Sequence, residues 1–305
     1  MPNHAALPFY LNSEKWGGAV AGFVRGRLLL LSRLHIFFMS YKIVVLIKQV
    51  PDTQNVGPDA MNADGTVNRA ALPAIFNPED LKALEMALQV KDKYPESRVT
   101  VLTMGPERAA SIIRDALSRG ADNGIIVSDI RFAGSDTLAT SYALACAIRK
   151  TGHYDLIFGG RQAIDGDTAQ VGPQVAEKLD LPQVTYAERL LSLKDDTITL
   201  TRRMDNGVET VEATLPLLVT VTASAPDCRY PHAHRLLQYA KTQPEIWNAD
   251  AISPEMERLG LKGSPTKVKK IDNVVLAHKE GVRIENSDAA IGELVVSLME
   301  DHIIG

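Results

Sequence analysis

Cysteine is scarce in this sequence, where Cys146 and Cys228 are the only two among 305 residues. Two thiols cannot build a disulfide framework and neither lies in a metal-ligand spacing, so a reducing, cytoplasmic compartment is expected and no metal site is predicted. Basic stripes are missing too, and the formal net charge of −4 disfavours nucleic acid as the main partner. The apolar run "GRLLLLSRLHIFF" contains arginines and is too short to span a bilayer, so we expect no membrane insertion.

Familiar nucleotide-binding and catalytic motifs are also missing. The sequence has no Walker lysine and no G-x-G-x-x-G after its first predicted strand, which disfavours a P-loop and a Rossmann fingerprint. No Ser/His/Asp, Cys/His or paired-carboxylate arrangement can be assembled from residues at the predicted strand ends, so no catalytic residue is assigned. These absences favour a protein that holds a ligand over one with acid–base machinery of its own.

The first 38 residues differ in character from the rest of the chain. They carry Arg25, Arg27 and Arg33 with a single acid, Glu14, and so resemble an organelle transit peptide or a poor signal sequence. Met39, however, is followed at once by "SYKIVVLIKQVPDT", which has the pattern of a natural domain start. We therefore interpret residues 1–38 as an upstream-start artefact or a disordered extension.

From Met39 onward, short β-rich runs alternate with longer helical ones. The strand candidates are near-continuous apolar runs, as expected for parallel strands covered on both faces: "KIVVLIK", "RVTVLTM", "GIIVSD" and "DLIFGG". Such alternation specifies a parallel sheet with right-handed crossovers, in which ligands bind beyond the carboxyl ends of the strands. The predicted fold class is therefore α/β, with a parallel-sheet nucleotide-binding domain over residues 39–224.

The helix starts carry capping signals. In "NPEDLKALEMALQVKDKY", Asn77 is predicted to cap the N-terminus, Pro78 fits the first turn, and Glu79 and Asp80 favour the positive end of the helix dipole. The helix in "SDTLATSYALACAIRKTG" is predicted to begin with Ser135 as its cap.

The pattern changes after Pro182. "TITLTRRMDNGVETVEATLPLLVTVTA" alternates and contains Asn206-Gly207, a strong turn signal, so an antiparallel hairpin is predicted to extend the sheet. From about Ala225 onward regular strands are expected to disappear, and residues 225–305 are interpreted as an arm that ends in an amphipathic helix within "SDAAIGELVVSLMEDHIIG".

The stretch "GGRQAIDGDTAQVGP" follows the apolar run "YDLIF" and precedes a helical pattern. Phosphate oxygens need donors, and a helix N-terminus offers unsatisfied backbone N–H groups and a favourable dipole. Backbone approaches an anion closely only where side chains are small, a need met by Gly159, Gly160, Gly166, Ala169 and Gly172. This turn is predicted to hold the phosphates of a nucleotide.

Residues alone leave two alternatives open at this turn. Small residues after a strand are also what any tight turn requires, whether or not a ligand binds. Asp165 and Asp167 do not suit a phosphate neighbour, so they are predicted to cap the helix, bind sugar hydroxyls or bind backbone amides of the loop. Pro173 leaves the start of the helix undetermined.

Several motifs now coincide in order and spacing: "VLIKQVPDT", "FNPEDLKALEMAL", "VLTMGPERAASIIRDALSRGAD", "GGRQAIDGDTAQVGPQVAEKLDLPQVTYA" and "RRMDNGVETVEATLPLLVTVT". Together they resemble the beta subunit of electron transfer flavoproteins from Met39 to the C-terminus. The resemblance implies an adenine-nucleotide hydrolase-like α/β fold and an obligate alpha-subunit partner, which carries the electron-transferring FAD. It also implies that the beta subunit holds AMP in simple members and a second FAD, reduced by NADH, in electron-bifurcating members.

The same resemblance implies a set of cofactor-binding residues. Matched motif by motif, they are Leu46, Asn77, Pro78, Glu79, Asp80, Met104, Gly160, Arg161, Gln162, Ala163, Ile164, Asp165, Gly166, Asp167, Thr168, Ala169, Gln170 and Val171. Glu79 departs from the family pattern, because many members have an aromatic residue at that place in the N-P-x-D segment.

The turn "DGDTAQVGP" is similar to the bifurcating type, in which Gly166, Ala169 and Val171 leave room for a pyrophosphate that runs on to a ribityl chain. In that interpretation FAD takes hydride from NADH, and the electrons divide between an acyl-CoA dehydrogenase-type partner, through the alpha-subunit FAD, and ferredoxin or flavodoxin. The alternative is a simple carrier with structural AMP that serves acyl-CoA dehydrogenases and a quinone oxidoreductase. A third hypothesis is a nucleotide-binding sensor without redox work.

The segment after the hairpin is expected to meet protein partners. Arg229, Tyr230 and Pro231 match the family's "RYP", which helps present the surface that docks dehydrogenases. The family resemblance further implies that the C-terminal arm embraces the alpha subunit.

Overall fold

The computed structural model describes residues 39–52, 72–266, 281 and 283–304 of the chain. The N-terminal extension predicted over residues 1–38 lies outside the described residues. The division at Ala225 between a nucleotide-binding domain and an arm stays a prediction.

Nine of the described strands form one sheet, in the spatial order β11-β5-β4-β1-β6-β10-β7-β8-β9. A separate pair, β2 and β3, is antiparallel. The strands are β1 Lys42–Leu46, β2 Gln49–Pro51, β3 Ala74–Phe76, β4 Arg98–Met104, β5 Asn123–Val127, β6 Leu156–Gly160, β7 Gln183–Lys194, β8 Thr197–Met204, β9 Gly207–Thr214, β10 Leu217–Val221 and β11 Glu245–Trp247.

Every neighbouring pair from β11 across to β7 is parallel, whereas β7–β8 and β8–β9 are antiparallel. The apolar runs identified in the sequence form the centre of the parallel part, because both of their faces are covered. The α/β fold class, with a parallel sheet extended by an antiparallel hairpin, is confirmed.

Helices cover both faces of the sheet. The α-helices of the described residues are α1 Pro78–Lys93, α2 Ala110–Arg119, α3 Thr137–Thr151, α4 Val171–Leu179, α5 Ala233–Tyr239, α6 Ala249–Ile252 and α7 Asp288–Glu300. Along β1, Ile43 and Val45 pack in one apolar cluster with α1 and α2, while Val44 packs in a second cluster with α3 and α4. This alternation follows from the two-residue period of a strand.

The sheet reverses its winding direction between β1 and β6. After β1 the chain adds β4 and then β5 on one side, and afterwards places β6 and β10 on the other side. A crevice forms at the carboxyl ends of two strands where such a reversal occurs, and ligands of open α/β sheets bind there. The turn predicted to hold phosphate leaves β6 at this point.

The two capping predictions have different outcomes. Asn77 is the N-cap residue of α1, as predicted, but its side chain makes no cap hydrogen bond. Helix α3 is capped by Asp136, whose carboxylate accepts from the amides of Leu138 and Ala139, while the Ser135 hydroxyl donates to the Phe132 carbonyl. The Asn77 side chain is used in contacts with the turn after β6 instead, and at α3 the prediction of Ser135 is wrong because the next residue, Asp136, is the cap.

After Pro182, some predictions for the chain are confirmed and one is wrong. The hairpin around Asn206-Gly207 forms as β8 and β9, and the last helix forms as α7, capped by Ser287. Regular strands do not end at Ala225, however, since β11 pairs with β5 and buries Trp247 in the core. In contrast, none of the residues of α7 is buried.

Across residues 39–52, 72–266 and 283–304, no helix combines the length and apolarity needed to cross a membrane. The same part of the chain contains no group of three or more His, Cys, Asp or Glu side chains that could hold a metal ion.

Candidate functional site

The turn after β6 has two halves with different surroundings. We call Gly160–Ile164 the inner turn and Asp165–Gln170 the outer turn. The inner turn is partly buried against the first turn of α1, whereas most of the outer turn is exposed.

Asp80 joins the inner turn to the neighbouring strand β1. Its carboxylate accepts the amide of Gly160 at 3.0 Å through one oxygen and the amide of Lys48 at 2.8 Å through the other. Burial raises the pKa of Asp80 to about 7, although these hydrogen bonds act in the opposite direction. One carboxylate therefore ties together the ends of the two strands that border the crevice.

Gly160 is required for this close approach. A Cβ atom there would lie 2.4 Å from Asp80 Oδ1 and 2.9 Å from the Asp80 backbone nitrogen. The amide of the next residue, Arg161, donates to the carbonyl of Val221 at the end of β10. The backbone of the inner turn is thus held on both sides by the protein.

Asn77 and Glu79 hold the rest of the inner turn. The Asn77 side chain donates to the Gln162 carbonyl at 2.9 Å and accepts from the Ile164 amide at 3.2 Å. The Glu79 carboxylate, 5% exposed, accepts from Arg161 Nη2 at 2.8 Å and from the Gln162 amide at 3.1 Å. The departure from the family pattern at Glu79 therefore has a structural partner within the chain.

The outer turn has an unusual backbone. Asp167 and Ala169 adopt left-handed conformations, with φ of 45° and 52°, which non-glycine residues rarely do. Ala169 is followed by Gln170 in the right-handed helical region. Successive residues of opposite hand turn their amides toward a common concavity, which suits an anion.

Several amides of the outer turn have no acceptor among the described residues. They are the amides of Thr168, Ala169 and Gln170, which donate no hydrogen bond to any residue of that part of the chain. Helix α4 begins directly afterwards at Val171, and the first amides of a helix have no intrahelical acceptor. Pro173 lies in this first turn, where its missing N–H costs no helical bond. The donors and the helix dipole together fit a phosphate group.

The small residues of the turn now separate into two kinds. A Cβ at Gly172 would lie 2.5 Å from Thr220 Cγ2 of β10, so this glycine is needed for helix packing, as Gly160 is for the strand end. A Cβ at Gly166, by contrast, would meet no heavy atom within 4 Å. Packing within the protein therefore explains Gly160 and Gly172 without a ligand, but it does not explain Gly166.

The two aspartates of the outer turn bind side chains of the protein. Lys48 Nζ lies 2.7 and 2.9 Å from the two Asp165 oxygens, and Gln162 Nε2 donates to Asp167 Oδ1 at 2.7 Å. Neither aspartate caps α4, because its N-cap is Gln170 and no side chain bonds there. The predicted capping role is wrong, while a role toward sugar hydroxyls stays a prediction.

The remaining predicted residues surround the same edge. Leu46 and Met104 end the adjacent strands β1 and β4, where both are half-buried, and Pro78 is the first residue of α1. Gln170 accepts a hydrogen bond from Thr137 Oγ1 at 2.8 Å, which links the outer turn to α3.

Two side chains of this site are not among the cofactor-binding residues that the family resemblance implies. Lys48 lies two residues after the end of β1 and belongs to the strand-end segment of residues 48–52, where the sequence pattern predicts that ligands bind. Tyr186 has a left-handed backbone with φ of 59°, and the Arg161 guanidinium lies over its ring at 5.8 Å. No local pattern points to Tyr186, because it meets the turn only through the pairing of β7 with β10.

The sequence is similar to proteins of one known family. Residues 64–250 match the electron transfer flavoprotein domain family. The chain is 42% identical over 262 residues to the electron transfer flavoprotein subunit beta of Clostridium acetobutylicum, covering 86% of this chain and 99% of that protein. It is 40% identical over 264 residues to the caffeyl-CoA reductase-Etf complex subunit CarD of Acetobacterium woodii, covering 86% and 100%. Protein FixA of Azotobacter vinelandii is 44% identical over 254 residues, covering 81% and 89%.

Proposed function

This chain belongs to the electron transfer flavoprotein beta-subunit family, and we propose on that premise that it binds FAD at the turn after β6, within a heterodimer formed with an alpha subunit in the cytoplasm. In this proposal the FAD accepts hydride from NADH. The electrons then divide between the alpha-subunit FAD, which serves an acyl-CoA dehydrogenase-type enzyme, and ferredoxin or flavodoxin.

The outer turn carries this proposal. Its free amides, the left-handed residues Asp167 and Ala169 and the start of α4 form a donor set suited to the diphosphate of a dinucleotide. Open space beside Gly166 supports a group larger than a single phosphate. A bound flavin would supply the hydride and one-electron chemistry, and the chain would supply position, shielding and fixed charge.

The residues beneath the turn would act as positioning residues. Asn77, Glu79 and Asp80 direct their side chains into hydrogen bonds with the inner turn or the end of β1. They would thus orient the backbone donors without themselves carrying out chemistry. Direct contact between the cofactor and the eighteen residues given above as cofactor-binding is part of the proposal.

Two exposed apolar surfaces support the proposed protein partners. Helix α7 exposes Ile291, Val296 and Met299, an arrangement that suits burial against another subunit. Tyr230 is 89% exposed and Leu237 83% exposed, and Tyr230 directly follows Arg229, which forms a partly buried ion pair with Glu85. We assign the first surface to the alpha subunit and the second to a dehydrogenase.

The alternative is a simple carrier in which the same turn holds AMP and electrons pass between acyl-CoA dehydrogenases and a quinone oxidoreductase. The phosphate donors fit AMP equally well, so the cofactor count decides between the two. Two FAD molecules per heterodimer are expected after co-expression with the alpha subunit. One FAD together with one AMP would overturn the bifurcating proposal and leave the simple carrier.

A substitution tests the site itself. Gly166→Glu places bulk and negative charge where a Cβ meets nothing in the protein, so the fold should persist while nucleotide at this site falls by at least about tenfold. Gly166→Ala is the matched control and should retain the nucleotide. Unchanged nucleotide content in Gly166→Glu heterodimer would show that the turn is purely structural.

A further inference from the structure

Lys48 and Asp165 form an ion pair across the crevice between β1 and β6. Lys48 follows the end of β1, and Asp165 is the first residue of the outer turn after β6. The ammonium nitrogen reaches both carboxylate oxygens, at 2.7 and 2.9 Å. A flexible cation is therefore held against the first residue of the outer turn, at the place where the sheet reverses its winding.

This pair is exchangeable on energetic grounds. The Lys48 side chain is 47% exposed and the Asp165 side chain 26% exposed. Ion pairs with such exposure contribute little to stability, because water screens them and both side chains lose rotamer freedom. A phosphate group carries more charge than a carboxylate and offers more acceptor oxygens, so it can displace Asp165 from the ammonium group.

The second cation of the turn is placed differently. Arg161 binds the buried carboxylate of Glu79 and lies over the ring of Tyr186. Breaking its ion pair would leave Glu79 buried without a counter-charge, which is costly. Lys48 has no such constraint, since Asp165 would remain partly in water after the ammonium group leaves.

We propose that Lys48 is a phosphate-binding residue of this site and that Asp165 competes with the phosphate for its ammonium group. This inference rests on the proposed nucleotide site. In this arrangement Asp165 lowers the affinity of the site for phosphate, because its carboxylate offsets part of the binding energy that Lys48 contributes. The same carboxylate keeps the lysine side chain directed across the crevice.

Competition between Asp165 and phosphate predicts that two substitutions change the affinity for ADP in opposite directions. Lys48→Gln removes the phosphate ligand and should weaken ADP binding about tenfold, the usual worth of one charge-assisted hydrogen bond. Asp165→Asn releases the lysine and should tighten ADP binding several-fold. If the ion pair only supported the shape of the turn, both substitutions would weaken binding.

Simple charge repulsion needs separate controls, because removing any acid near a phosphate favours binding. Asp167→Asn removes a negative charge from the same turn, but its carboxylate binds Gln162 and not a lysine. Asparagine also tolerates the left-handed backbone at that position. Its effect on ADP affinity should be smaller than that of Asp165→Asn. In the Lys48→Gln/Asp165→Asn double variant, the gain from Asp165→Asn should vanish.

The experiment uses the heterodimer stripped of nucleotide at this site. Calorimetry measures the binding of ADP, which is also a moiety of FAD, and of adenosine as the phosphate-free probe. Lys48→Gln should weaken the binding of ADP but leave that of adenosine unchanged, and Lys48→Arg should keep most of the ADP affinity. Thermal unfolding of each variant checks the fold. Equal losses of ADP affinity in both single variants would overturn the proposed competition. A gain of ADP affinity from Asp165→Asn that persists in the double variant would overturn it as well. A wild-type heterodimer that binds neither FAD nor ADP here would instead overturn the proposed function.

Discussion

The inner and outer turns are consecutive in sequence yet opposite in their use of hydrogen bonds. The inner turn has its amides at Gly160, Gln162 and Ile164 bonded to side chains of α1 or of Asn77 before it. The outer turn has consecutive amides with no acceptor in the part of the chain that the structure describes, and two of its residues adopt left-handed conformations. The comparison teaches that the protein anchors one half of the turn and leaves the amides of the other half available, as the proposed ligand site requires.

Backbone strain in the outer turn has a cost that packing around it must offset. A left-handed conformation costs about 1 to 2 kcal/mol at a residue other than glycine. Such strain persists where the surroundings over-determine the backbone, and it concentrates at functional sites. The anchored inner turn on one side and helix α4 on the other supply that constraint here.

The largest expected effect comes from a substitution that disrupts the contact between the inner turn and α1. Gly160→Ala places a Cβ against the backbone of Asp80, so we expect a loss of about 3 kcal/mol in the free energy of unfolding. Gly166→Ala, six residues later, should change it by less than about 0.5 kcal/mol, since a Cβ there meets nothing. Chemical denaturation of both variants measures this contrast, and equal losses would contradict the division of the turn into two halves.

A second expected effect is a dependence of stability on pH that comes from Asp80, which holds the inner turn. Burial raises the pKa of Asp80 to about 7, well above that of an aspartate in an unfolded chain. Between about pH 4 and 7 the folded protein therefore holds more protons than the unfolded chain, and stability falls as pH rises through this window. Asp80→Asn lacks this titration.

The difference in unfolding free energy, wild type minus Asp80→Asn, should consequently decrease by about 1 kcal/mol per pH unit across that window. Denaturation of the two proteins in parallel at several pH values measures it, and other titrating groups cancel in the difference. A constant difference would show that Asp80 has an ordinary pKa.

The smallest expected effect concerns strain in the outer turn. Ala169→Gly relieves a left-handed alanine at φ of 52°, so it should be neutral or stabilise the fold by about 1 kcal/mol. Ala145→Gly inside α3 is the control and should show the usual glycine cost of about 1 kcal/mol or more. A comparable loss at Ala169 would mean that its backbone is not strained.

Much of the architecture was accessible from local patterns. Continuous apolar runs marked the four central parallel strands, and Asn206-Gly207 marked the hairpin. The position of the candidate site followed as well, because small residues directly after the run "YDLIF" indicate a backbone that something else approaches. Alternation of this kind depends on neighbours in sequence, which is why it could be predicted.

The roles of individual side chains were less accessible. Asn77 carries an amide that suits a helix cap, but it bonds to residues 85 and 87 positions later. The choice depends on where the turn after β6 lies in space, which no local pattern encodes. β11 was missed for a similar reason, since three residues give no periodicity and its pairing with β5 spans more than a hundred residues.

β10 sets an order of events during synthesis of the chain. It lies between β6 and β7, its last carbonyl accepts the amide of Arg161, and its Thr220 packs against Gly172 at the start of α4. A nascent chain that has left the ribosome only as far as the turn therefore lacks the strand that supports it. Since sheets with non-local pairings close late, we expect the turn to reach its final conformation, and the proposed nucleotide to bind, only after about residue 221 has emerged.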